Sequence, residues 1–368
     1  MPRKQGMVSL NFVVTQQQAE RIRNFAIQEY KTVADYIRHL INDDMAKAQQ
    51  EINLAVEYGG DRKGVSFSGF AELLRHTNFP KAEMSPARKV ELVSQMNKIY
   101  TEQDLTISAV AVDMAAKTTL LLHPSDEAKI DKLATISILN QLITWIDESE
   151  YPSLIRVFRT GQLSTVNNST KIAFYVYQQL EKSSPEEWFE RFIASLIEYL
   201  MFLSYKRPTI QPLIALDYYY DARFIAGGIK PGMYIIEYVT ERYLPPNVIR
   251  HPHIYKLIDN CRRAICLIYD IFSYEENVRR KGWELNRIYA LEEQGHSLKS
   301  AVRQVIQEFG IYIREFATLQ ETLPEFDDLP NQEVKVYANN LRNFITGTWR
   351  MQEMFMSETS PFTELKKK

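Results

Sequence analysis

Two stretches carry side chains whose types and spacing suit chemistry. The first is Asp147-Glu148-Ser149-Glu150, three carboxylates in four residues, just ahead of Pro152. Such a group either solvates a helix end or ligates a hard cation, which takes oxygen donors and prefers anionic ones. The second stretch is residues 217–277, where DYYYDARFIAGGIKPG leads on to CRRAICLIYDIFSYEEN. Within it Tyr269, Ser273 and Asn277 recur every four residues, so a helix sets their side chains on one face, as a chelate requires. Arg223 stands four residues before Gly227-Gly228. Glycines there permit a kinked helix with free carbonyls, and a guanidinium offers an anion both charge and a hydrogen-bond fork. Trp145, Tyr218, Tyr219, Tyr220, Phe224 and Phe272 surround these positions. They either line a pocket that stabilises a cation or pack the core, the commoner fate of aromatics on helices. The six histidines, His251 and His253 among them, share no ligand spacing with other metal-type residues. Asp327-Asp328 reads as a solvated loop pair.

Holding such groups in place takes rigid elements, and from about Phe70 the chain supplies helices. PARKVELVSQMNKIY, TISAVAVDMAAKTTLLL and EAKIDKLATISILNQLITWID each place apolar residues at three- and four-residue spacing. Pro80, Pro86, Pro124, Pro152, Pro185, Pro208, Pro245 and Pro324 fall between such runs, as helix breakers should. With 45 % hydrophobic residues in 368, the chain can hold one large domain plus a small one and has ample apolar residues for a sizeable core. Few glycines (13) and little strand-like alternation beyond the N-terminus predict an all-α body. A net charge of −2 argues against whole-surface attraction to nucleic acid while leaving room for one local patch. Cys261 and Cys266, five apart in a predicted helix, point to different faces. No disulfide framework or metal knuckle follows, and a reducing compartment is expected. With no basic-then-apolar leader and no bilayer-length apolar run, the expectation is a cytoplasmic protein with no membrane span.

The N-terminus differs from the rest. In MVSLNFVVT, Val8, Leu10, Phe12 and Val14 alternate with Ser9, Asn11 and Val13, the period of a half-buried strand. Thr15 with Gln18 forms a capping-box spacing that opens one helix, and Thr32 with Asp35 opens a second. One strand and two short helices bury no core alone, so a second copy is needed. The segment, about residues 5–46, resembles a ribbon-helix-helix module, a small β-α-α dimerisation unit. That resemblance implies a homodimer or higher homo-oligomer through residues 5–46. It also implies contact with duplex DNA, with Ser9, Asn11 and Val13 facing the bases and Thr32 and Val33 near the backbone. A basic surplus of two in this segment leaves pure dimerisation as the companion reading. GGDRKGVSFSG then reads as a linker. The domain division is therefore 1–48, a linker over 49–69, and a helical domain over 70–368.

The order of landmarks over roughly residues 70–360 resembles bacterial class I terpene synthases. LATISILNQLITWIDESEY sits where that family ends a helix in its aspartate-rich motif. WFERFIASLIEYLMFLSYKRPTIQPLIALDYYYDARFIAGG resembles the run to its diphosphate-sensing arginine, and LPPNVIRHPHIYKLIDNCRRAICLIYDIFSYEEN resembles the approach to its second metal motif. The resemblance implies an all-α terpene-synthase-like fold and Mg²⁺ ions held by Asp147, Glu148, Glu150, Ser273 and Asn277. It also implies a diphosphate bound by Arg223 and Gly227, with Arg223 and Asp147 catalytic if the protein is active. The chain departs from the family pattern at several ligand positions, with Glu148 in place of the second Asp of the first motif. Tyr151 replaces the last carboxylate of the first motif, Tyr269 replaces the leading Asn of the second, and Asn277 replaces its closing Glu. The family's closing Arg-Tyr pair is not found after Trp349. The sequence therefore predicts a terpene-synthase-like regulator or ligand-binding protein with lost or weak diphosphate ionisation. The alternatives are an active Mg²⁺-dependent synthase that cyclises a prenyl diphosphate, or a scaffold dimer. The expected ligand is an isoprenoid diphosphate or another hydrophobic molecule.

Overall fold

Local signals set where the helices begin and end. Ser85 accepts a hydrogen bond from Arg88 N and precedes Pro86, which opens α1 (Pro86–Glu102). Ser108 does the same through Ala111 N for α2 (Ala109–Leu122). Next comes α3 (Ile130–Trp145), then a single 3₁₀ turn, Glu148–Glu150, and α4 (Tyr151–Thr160), which stops at Gly161 in the left-handed region. Asn167 and Thr170 close a reciprocal capping box on α5 (Asn168–Lys182). Then follow α6 (Glu186–Ser204), α7 (Leu216–Ala226), α8 (Ile229–Thr240) and a short α9 (Pro246–Ile249). The last four are α10 (Pro252–Ser273), α11 (Arg287–Glu293), α12 (Leu298–Glu321) and α13 (Asn331–Met356).

The structure is a computed structural model that describes residues 79, 82–163, 166–204, 216–274, 285–327 and 331–356. All of them belong to one unit, Gly59–Lys368. Among them the architecture is helical, as the periodicity predicts. The ribbon-helix-helix segment, with Ser9, Asn11, Val13, Thr32 and Val33, lies outside the described residues, as do the linker over 49–69 and Asn277. No helix among the described residues is long and apolar enough to cross a membrane.

Two cores form. In one, Leu92 of α1, Leu133 of α3, Phe158 of α4 and Trp188 of α6 pack together. In the other, Ile265 of α10, Phe309 of α12 and Ile345 of α13 do so. Helix α8 serves both, giving Ile235, Tyr238 and Val239 to the first and Ile229, Met233 and Ile236 to the second. A helix apolar on nearly every side belongs inside a fold, and α8 is buried accordingly. Its one buried carboxylate, Glu237, accepts from Arg191 Nη2 at 2.7 Å and from Leu244 N at 2.9 Å. Helix α13 crosses α2 closely at Gly347, where a Cβ would lie 1.9 Å from the Leu121 carbonyl oxygen. Only glycine allows that approach.

Candidate functional site

Helix α7 ends at Ala226, and the chain turns through Gly227 and Gly228 before α8 starts. Gly228 sits at φ +60°, with the Tyr199 ring 3.0 Å from where its Cβ would be. This break opens onto a cavity of about 440 Å³ enclosed by α2, α3, α6, α8, α10 and α13. That volume lies within the ~300–1,000 Å³ of small-molecule sites. Its apolar walls include Met114, Leu139, Phe192, Ile235, Phe272 and Phe344.

The polar side chains lining it include Thr118 of α2 and Gln352 of α13. Helix α3 gives Asn140, Gln141 and Thr144. Asn140 Nδ2 donates to Thr119 Oγ1 at 3.1 Å, Thr144 Oγ1 donates to the Asn140 carbonyl at 2.7 Å, and Gln141 Oε1 accepts from the Tyr100 hydroxyl. Helix α6 gives Tyr199, and α10 gives Tyr269 and Ser273, four residues apart on one face. His123, at the end of α2, stacks on Phe344 with centroids 5.8 Å apart; burial pushes its pKa down to about 3, so the ring is neutral. Among the described lining residues there is no Asp, Glu, Lys or Arg.

The sequence-predicted residues divide into three groups. Ser273 and Gly227 line the cavity. Arg223 does not: its guanidinium is buried behind the Tyr269 ring, 5.5 Å from the centroid, and Nε donates to Asp270 Oδ1 at 2.6 Å. Asp270 is fully buried and also accepts from Arg287 N at 2.6 Å and from the Tyr219 hydroxyl. Burial pushes the Asp270 carboxyl up, and the Arg223 guanidinium pulls against it. Asp147 caps the 3₁₀ turn, Oδ1 accepting from Ser149 N at 2.9 Å, and hydrogen bonding to the Ser149 side chain and then to its backbone N–H lowers the pKa of this exposed carboxyl. Glu148 is exposed in the same turn. Glu150 keeps one oxygen, Oε2, buried with no hydrogen-bond partner.

Tyrosines gather where the two motifs approach each other. Tyr151 is raised by burial and then by Glu148 and Asp147. Tyr199 is raised by burial and then by Tyr269 and Tyr151, which places those three phenols within electrostatic reach of one another. Burial takes Tyr269 up to about 12, so it stays a neutral donor at physiological pH. Mg²⁺ takes near-octahedral oxygen ligands, carboxylates first. Glu150 Oε2 is one orphaned oxygen of the right type, but no group of three His, Cys, Asp or Glu converges among the described residues. With Tyr269 and Ser273 neutral and Asp147 bonded to its own turn, the described residues do not fit a metal cluster clamped between two helices.

Composition and motif spacing did not single out Asn140, Thr144, Tyr199 or His123 as site residues. The available signal was faint: Asn140 and Thr144 are polar residues four apart, on one face of a predicted helix.

Comparison with known proteins puts these observations in context. Residues 140–315 match the family model described as terpene synthase family 2, C-terminal metal binding. The chain is 34 % identical over 135 residues to Sesquiterpene synthase 1 of Postia placenta, covering 36 % of this chain and 39 % of that one. It is 27 % identical over 195 residues to Terpene synthase 1 of Acytostelium subglobosum, covering 50 % and 58 %. The match thus spans roughly four- to six-tenths of those relatives' length. Among solved structures, hedycaryol synthase in complex with nerolidol superposes with a TM-score of 0.59 at 21 % identity, covering 74 % of this chain and 96 % of that one. For α-eudesmol synthase the TM-score is 0.60 at 17 % identity, covering 75 % and 97 %. The helical body therefore has the terpene-synthase fold, and its residues 140–315 match that family's C-terminal metal-binding region.

Proposed function

We propose that this protein binds an isoprenoid chain of sesquiterpene size in the cavity bounded by α2, α3, α6, α8, α10 and α13. The observation that carries this reading is the cavity itself: about 440 Å³, apolar in its walls and lined with Phe192, Phe272 and Phe344. Aromatic and aliphatic walls favour a hydrocarbon chain through burial of its surface. Support also comes from relatives named sesquiterpene synthases and from a similar structure that holds nerolidol.

Turnover is the second reading: Mg²⁺-dependent ionisation and cyclisation of a prenyl diphosphate. The likeness to synthases favours it over a regulator, and the orphaned Glu150 Oε2 is the specific observation in its support. Asp147, Glu148, Glu150 and Ser273 are the described residues that would meet the ion, with Asn277 as a fifth. The test is pyrophosphate release from geranyl, farnesyl and geranylgeranyl diphosphates with excess Mg²⁺, beside Asp147→Ala and Glu150→Gln controls. Release from the wild type, lost in Glu150→Gln, establishes turnover; none from any substrate leaves a binding protein. Assembly and DNA contact through residues 5–46 form a separate proposal, supported by the strand-and-two-helix pattern. The mass in solution and titration with duplex DNA at low salt decide it.

A further inference from the structure

Among the described residues the cavity's polar end carries no counter-charge for the headgroup that the motif positions suggest. We propose that it takes a neutral oxygen function, the hydroxyl or carbonyl of a terpenoid, in preference to a diphosphate. This rests on the reading that the cavity holds an isoprenoid chain.

Three hydroxyls face the cavity at that end: Tyr199, Tyr269 and Ser273. Among the described residues none of the three has a hydrogen-bond partner. Tyr269 and Ser273 share a face of α10, and the Tyr199 ring rests against Gly228 across from them. The three residues are half-buried. A ligand that fills the cavity must either satisfy their hydroxyls or leave them unpaired away from water, which is costly, so one that satisfies them is favoured. An alcohol or carbonyl needs one donor, or a donor and an acceptor, and phenol and serine hydroxyls supply both.

A diphosphate brings several negative charges, and burying them without counter-charge is strongly unfavourable. The described lining provides none. Arg223, behind Tyr269, is already bound to Asp270. Asp147 and Glu148, close enough to raise Tyr151, are of the same sign as the diphosphate. The tyrosines at positions 151 and 269 thus occupy ligand positions with groups that bind neutral oxygen and hold no cation.

The test is equilibrium binding to the full chain, followed by tryptophan fluorescence, of three C15 probes: farnesol, farnesene and farnesyl diphosphate, each with and without Mg²⁺. Farnesol is expected to bind about 10-fold tighter than farnesene, the effect of one to two good hydrogen bonds. It is also expected to bind tighter than farnesyl diphosphate in both conditions. Tyr269→Phe and Ser273→Ala should each weaken farnesol several-fold, on the order of one hydrogen bond, and so narrow its advantage over farnesene measured on the same variant. Tighter binding of the diphosphate in either condition overturns the proposal. Equal binding of farnesol and farnesene also overturns it while the cavity reading stands. Failure of all three to bind overturns the cavity reading, and this proposal with it.

Discussion

Arg223 Nε donates to Asp270 Oδ1 at 2.6 Å, and both side chains are almost wholly buried. Asp270 holds Arg223 on one side and the backbone of Arg287 on the other, while Asn286 Nδ2 donates to its carbonyl at 2.8 Å. One carboxylate therefore ties α7, α10 and the start of α11 together. In sequence Arg223 has the position of a headgroup contact; in the structure it joins the helices behind the cavity.

Removing one partner of such a pair leaves an unpaired buried charge, which costs ~3–5 kcal/mol. Arg223→Met should lower unfolding stability by about that amount in urea denaturation. Adding Asp270→Asn should recover part of the loss, because the amide is neutral yet still accepts from Tyr219 and Arg287 N. A double variant no more stable than Arg223→Met would contradict this account.

His123 makes stability depend on pH. Its folded pKa, about 3, lies below the ordinary 6.5, so between those values the unfolded chain takes up a proton that the native ring refuses. Stability from this residue is full above pH 6.5 and falls as pH drops towards 3, at up to ~1.4 kcal/mol per pH unit. His123→Gln should reduce the loss measured between pH 7.5 and pH 5 relative to wild type. An unchanged pH dependence would mean that the ring is not held neutral.

Gly347→Ala drives a methyl group into the Leu121 carbonyl, a backbone atom that cannot swing aside. Overpacking of this kind costs ~1–3 kcal/mol or more. Because α2 and α13 both wall the cavity, separating them should also weaken binding of a hydrocarbon chain. Thermal unfolding and a farnesene titration on the same sample check both effects.

If turnover is the true activity, the two changed ligands of the second motif limit it. Tyr269→Asn with Asn277→Glu should then raise pyrophosphate release in Mg²⁺, since a hard cation gains an anionic oxygen. Unchanged release would argue against a metal-clamped reaction in this protein.

By itself the sequence determined the helices. Three- and four-residue apolar spacing, Ser85, Ser108 and Asn167 at helix starts and Gly161 at a helix end act within one or two turns, so the chain states them directly. The helix break at Gly227-Gly228 was legible for the same reason, since glycine removes a local steric limit. The four-residue repeat fixed the helical face that Ser273 shares with Tyr269, whereas Gly227 stood out only as one of the glycine pair that breaks the helix. The rest depended on contacts between residues far apart in the chain. Arg223 Nε bonds to Asp270, 47 positions away, and no local rule says that a guanidinium will meet a particular carboxylate so far along the chain. Tyr199, His123 and Asn140 became cavity residues only when three separate helices closed around one space. Burial then set the His123 and Tyr269 protonation states, because desolvation arises from the surrounding fold and not from the residue's neighbours in sequence.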